Sequence, residues 1–223
     1  PLLRQVLPLA EELTPADGWA ADPLEERTGD APAGILHKYR GRALLIMTGA
    51  CAINCRYCFR RHFPYGDKQL DGEAWAAALD YLRSDPALRE VILSGGDPLA
   101  VNDRRLASLA GSLDSITHLT TLRIHTRLPV VIPQRVCDPL LDWLDATRLK
   151  AVLVLHVNHP KELDDDVRAA LRQRRDAGVT LLNQSVLLAG VNDSVAVLAD
   201  LSERLFDMGV LPYYLHRLDL SLI

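Results

Sequence analysis

The sequence predicts an α/β fold, a partial (β/α)6 barrel of parallel strands. Three observations carry this. Short continuous apolar runs recur along the chain, amphipathic stretches of helical period separate them, and the unusual residues collect directly after the runs. An apolar run without alternation suits a strand buried on both faces, as in parallel sheets covered by helices. Regular repetition of one unit favours a barrel over an open sheet.

Residues 1–41 read as an irregular, mostly polar lead-in, punctuated by Pro8, Pro15, Pro23 and Pro32 and loosened by Gly18, Gly29 and Gly34. The repeating core runs from residue 42 to 223. ALLIMT (43–48) is its first strand. EAWAAALDYLRS (73–84) is a helix with Trp75, Leu79 and Leu82 on one face, and EVILS (90–94) is the second strand. DRRLASLAGSL (103–113) is a helix with Leu106, Leu109 and Leu113 in phase, followed by the third strand, LTTLRIHT (119–126). PLLDWLDAT (139–147) is a helix begun by Asp138 as cap and Pro139 in the first turn.

AVLVLHV (151–157) is the fourth strand. Residues 162–178 form a helix that is acidic at its start, basic near its end and stopped by Gly178, which suits the helix dipole. VTLLNQSVLL (179–188) is the fifth strand, 194–208 a helix closed by Gly209, and VLPYYLH (210–216) the sixth strand.

The length of 223 residues, 48% apolar and 24% charged, fits one large domain and excludes disorder and a disulfide-dense mini-protein. A net charge of −4 gives no reason to expect nucleic acid or an anionic membrane. No stretch of 18 apolar residues spans a bilayer, and the first residues lack a signal-peptide pattern, so the chain reads as cytoplasmic. Without an initiator Met, it also reads as trimmed. Its basic residues are 21 Arg against only Lys38, Lys68, Lys150 and Lys161, and Arg is the better residue for bidentate capture of carboxylates and phosphates.

Cys51, Cys55 and Cys58 fall within eight residues, directly after the first strand. Cys137 stands apart and reads as a small buried hydrophobe. Clustered thiols in a chain that is not secreted point to metal or redox chemistry in a reducing compartment. C-x3-C-x2-C can ligate three irons of a [4Fe–4S] cube and leave the fourth open. A structural Cys3His zinc site with His62, or unligated reduced thiols, are the alternatives. After the second strand comes Ser94-Gly95-Gly96-Asp97, whose glycines permit close backbone approach and whose carboxylate can accept from an ammonium.

With that loop in register, the cysteine motif resembles the signature of radical S-adenosylmethionine (SAM) enzymes. The resemblance implies a TIM-like barrel, a cluster on Cys51, Cys55 and Cys58 that cleaves SAM, and Ser94 to Asp97 beside the SAM amino group. ACAINCRYCFRRHFPY, SGGDPL, RIHTRLPVVIPQR, NHP, GVTLLNQSVLL and GVND followed by PYYLH narrow it to lysine 2,3-aminomutases. PLLRQV, ADPLEE and GILHKYRGRALL are similar to the branch that supplies (R)-β-lysine for elongation factor P.

That resemblance implies an isomerase using L-lysine, pyridoxal 5′-phosphate (PLP) and a low-potential electron donor. It implies that Arg60 pairs with the substrate carboxylate, and that Asp219 receives the distant ammonium. Arg42, with Lys38, would stand near the PLP phosphate, and His156 and Gln184 near SAM. Three departures stand out. Ala189 occupies the place of an Arg, the tail after Asp219 is more similar to the free-lysine enzymes, and none of the four lysines matches the PLP lysine. The chain alone is therefore expected to form no reducible PLP–lysine adduct.

Overall fold

A computed structural model describes residues 1–10, 20, 22–26, 31–68, 70 and 72–217. One sheet holds the strands β1 (Ile35–Tyr39), β2 (Arg42–Thr48), β3 (Glu90–Gly95), β4 (Thr121–Thr126), β5 (Lys150–His156), β6 (Thr180–Val186) and β7 (Leu211–His216). Their order in the sheet is their order in the chain. From β2 to β7 all pairings are parallel. The six expected core strands are thus all present, each within two residues of its expected limits.

The helices are α1 (Gly72–Ser84), α2 (Asp103–Asp114), the single-turn α3 (Leu128–Val131), α4 (Asp138–Ala146), α5 (Asp165–Asp176) and α6 (Val195–Asp207). Side chains of Asn102, Asp164 and Ser194 cap α2, α5 and α6 by accepting from the third backbone N–H beyond them. Asp138 is not a cap: the N-cap of α4 is Cys137, and Asp138 occupies the first turn, where its charge meets the helix dipole.

The expectation of an irregular segment through residue 41 is corrected at Ile35–Tyr39, which pairs antiparallel with β2. Arg40 and Gly41 make the two-residue turn, in which Gly41 takes a φ of +87°, open to glycine at low cost. The sheet therefore starts seven residues before the expected boundary.

Successive strand residues point to opposite faces, and the two faces differ in chemistry. One set packs under the helices: Leu45 and Met47, Val91 and Leu93, Leu122 and Ile124, Leu153 and Leu155, against Leu82, Leu106, Leu113, Leu144, Leu171 and Leu205. The alternate set carries Arg42, Glu90, Arg123, His125, His156 and Gln184. In it Arg123 Nε donates to Glu90 Oε1 at 2.7 Å across β3 and β4. The concave face of the partial barrel thus mixes these polar groups with Ile46, Ile92, Val154 and Leu182, and the C-terminal strand ends open where loops carry the unusual residues.

Candidate functional site

The loop after β2 carries Cys51, exposed, and Cys55 and Cys58, partly buried, all as free thiols. Its backbone is tied down on both sides. Asp97 N donates to Ala50 O at 2.8 Å, and Arg56 N donates to Gln5 O at 2.9 Å. Burial, then the charge of Asp97 and the other two thiols, push Cys51 up to about 11, and burial raises Cys58. The Cys51 and Cys58 thiols therefore hold their protons at neutral pH, and a thiol loses its proton on becoming a ligand.

Among the described residues no three His, Cys, Asp or Glu side chains gather closely enough to hold one metal ion. The loop thus presents three thiols without a compact single-ion site. In a cube each thiolate would take a different iron.

The Gly95 and Gly96 pair lets this loop and the next lie against each other. Gly95 has φ +117°, and a Cβ there would sit 2.6 Å from Thr48 O. A Cβ on Gly96 would sit 2.4 Å from Ala50 O. The close approach expected of these glycines is made here by the chain itself. The Asp97 carboxylate is likewise engaged within the protein. Oδ1 accepts from Leu99 N at 3.0 Å and Thr126 Oγ1 at 2.6 Å; Oδ2 accepts from Arg127 N at 2.7 Å and Leu128 N at 3.0 Å. Four donors hold a carboxylate that was expected to accept from a ligand ammonium, so Asp97 locks the end of β3 to the end of β4.

Arg60 is buried at 8% exposure, and so is Glu26 at 7%. Arg60 Nε donates to Glu26 Oε2 at 2.6 Å, Nη2 to Glu26 Oε1 at 2.8 Å, and Nη1 to Ser94 Oγ at 2.9 Å. Three of the five guanidinium N–H groups are thereby used. The guanidinium expected to meet a substrate carboxylate already holds one, supplied by the lead-in.

At the ends of β5 and β6, Gln184 Nε2 lies 2.7 Å from His156 Nε2. Donation by the amide requires a neutral imidazole with its proton on Nδ1. Burial, then the charges of Arg127, His216 and Arg60, hold His156 down at about 3. His125 stacks edge-on against it at 6.0 Å.

Arg42 stands apart from these groups. It is the first residue of β2, roughly 20 Å of strand away from the cysteine loop, and its guanidinium lies 5.2 Å over Tyr39. Lys38 Nζ donates to Leu24 O. Lys150 and Lys161 are exposed. Asp219 lies outside the described residues.

Residues that sequence reasoning did not single out complete the site. Arg127 and Asn158 lie on two strand-end loops already marked as unusual, which was the available signal. Gln5 and Glu26 lie in the lead-in motifs PLLRQV and ADPLEE, which marked the segments but no role, and Glu162 offered no signal. Glu162 Oε1 accepts from Gln5 Nε2 at 3.0 Å and from the backbone N–H of Asn158 and His159, each at 2.9 Å. Asn158 Nδ2 donates to Gln5 Oε1 at 2.9 Å and to Tyr57 Oη at 2.7 Å.

The chain is similar in sequence and fold to known proteins. L-lysine 2,3-aminomutases of Haemophilus influenzae and Escherichia coli are each 52% identical over 98% of the chain. The chain spans 65% and 64% of their respective lengths. Streptococcus suis SuiB, solved bound to S-adenosylmethionine, has a similar fold: TM-score 0.57 at 15% identity, over 81% of this chain and 39% of that one. The Radical SAM superfamily matches residues 45–201, most of the barrel. The chain belongs to the radical SAM superfamily, which implies a [4Fe–4S] cluster and SAM at the mouth of its partial barrel.

Proposed function

We propose that this chain is the SAM-cleaving core of a cytoplasmic lysine 2,3-aminomutase, on the branch that provides (R)-β-lysine for elongation factor P. The observation that carries the reading is the meeting of the three-thiol loop with the Ser94–Asp97 loop at the C-terminal end of a parallel barrel. The likeness to named L-lysine 2,3-aminomutases supports the substrate.

Cys51, Cys55 and Cys58 are the residues that would hold the cluster. A cluster held there would supply one-electron reduction of SAM, from a low-potential donor, to methionine and a 5′-deoxyadenosyl radical. The chain's own residues orient and shield. Asp97 fixes the loop beside the SAM amino group, which the Ser94 to Gly96 backbone would face. Gln184 would orient the His156 ring near SAM, and burial keeps that ring neutral. Arg60 offers a guanidinium to the lysine carboxylate, either through its two remaining N–H groups or by exchange with Glu26. Asp219 would receive the distant ammonium. For PLP, Arg42 would be the phosphate anchor, although it stands at the far end of β2 from the cysteine loop, and the described lysine side chains do not fit the remaining requirement: Lys38 is tied to Leu24, while Lys150 and Lys161 are exposed. No step is therefore assigned through PLP.

Anaerobic reconstitution with iron and sulfide tests the reading. About four irons and four sulfides per chain are expected, with release of 5′-deoxyadenosine from SAM under dithionite, and none after replacement of any of the three cysteines by Ala. One zinc without sulfide, or an intact cluster that leaves SAM whole, rejects it. Borohydride with PLP is expected to leave no adduct on this chain.

A further inference from the structure

One guanidinium reaches the cysteine loop from the other side of the site. Arg127, at the end of β4, is buried and donates from Nη1 to Cys55 Sγ at 3.0 Å. Its Nη2 donates to Glu162 Oε2 at 2.7 Å and to Gln5 Oε1 at 2.8 Å. Its backbone N–H is held by Asp97. The position is thus set from four directions, by residues far apart in the chain. Its Nε is buried without a hydrogen-bond partner among the described residues. Burial works against the charge, but Tyr57, Cys55 and Glu162 outweigh it and keep the group charged.

We propose that Arg127 is a positioning residue that sets the reduction potential of the cluster through Cys55, with Glu162 as the counter-charge that tempers it. The inference rests on the cluster reading above. Adding an electron to a cluster makes it more negative. A fixed cation that donates to a ligand sulfur stabilises that reduced form and raises the potential. Glu162, 2.7 Å from the same guanidinium, opposes the effect. Gln5 joins both: its amide accepts from Arg127 and donates to Glu162. The lead-in thereby takes part in the electronics of a loop some fifty residues away.

The two charges make opposite predictions, which a merely structural role does not. The reconstituted protein, its Arg127→Gln, Arg127→Lys and Glu162→Gln variants are compared by iron and sulfide content, thermal melting and potentiometry followed by electron paramagnetic resonance. The potential is expected to fall in Arg127→Gln, to stay closer to wild type in Arg127→Lys, and to rise in Glu162→Gln. A full cluster at wild-type potential in Arg127→Gln overturns the proposal. If Arg127→Gln fails to fold, an unchanged or lowered potential in Glu162→Gln overturns it instead. A wild-type chain that assembles no cluster defeats the functional reading and is distinguished by its iron content.

Discussion

Glu26 and Arg60 form a buried, two-pronged ion pair, 2.6 Å between Nε and Oε2 and 2.8 Å between Nη2 and Oε1. It joins the lead-in to the cysteine loop, 34 residues on. Removing one partner leaves the other charge buried and alone. Glu26→Ala is therefore expected to cost about 3 kcal/mol, read by urea unfolding. Adding Arg60→Met to it should return part of that loss, because the stranded charge goes too. A double variant no better than the single one contradicts the argument.

Asp97 accepts from four donors, two of them backbone N–H groups on its Oδ2. Asp97→Asn turns an amide N–H₂ toward donors and leaves at least one N–H unpaired. The expected loss is about 2 kcal/mol, with lower iron content after reconstitution. Wild-type stability in Asp97→Asn would show that the four bonds do little.

Gly96→Ala places a methyl 2.4 Å from Ala50 O, against backbone. The two loops must separate. A loss of about 1–3 kcal/mol is expected, accompanied by weaker cluster retention on gel filtration. Since Gly96 does not have a positive φ, the cause is space and not backbone strain.

Acid should weaken the fold through His156. An unfolded imidazole takes a proton near 6.5, the folded one only near 3. Between those values the unfolded chain binds more protons, so stability falls as pH drops through the window. Because the ring keeps some exposure, a loss of about 1 kcal/mol is expected between pH 6.5 and 5. His156→Gln should show a shallower slope in urea unfolding at both pH values. An identical slope removes His156 from the account.

Much of this molecule is legible in local pattern. The six core strands are short apolar runs, and the five long helices declare themselves by a period that repeats every turn. The cysteine motif is local too, since three thiols on one loop need no distant partner. β1 was missed because its five residues mix polar and apolar side chains, and only pairing with β2 makes them a strand. The polar groups on the concave face were hidden inside runs that read as continuously apolar.

By itself, the sequence determined the fold class, the order of the strands and the loop that carries the thiols, because periodicity and motif spacing act over a few residues. Only the tertiary structure decided which buried charges meet. Glu26 finds Arg60, Gln5 finds Arg127 and Glu162, and Asp97 finds the turn after β4, across separations of 30 to 157 residues. A buried polar group must be paired, but with which partner depends on which loops the barrel brings to the same rim. No local pattern contains that choice.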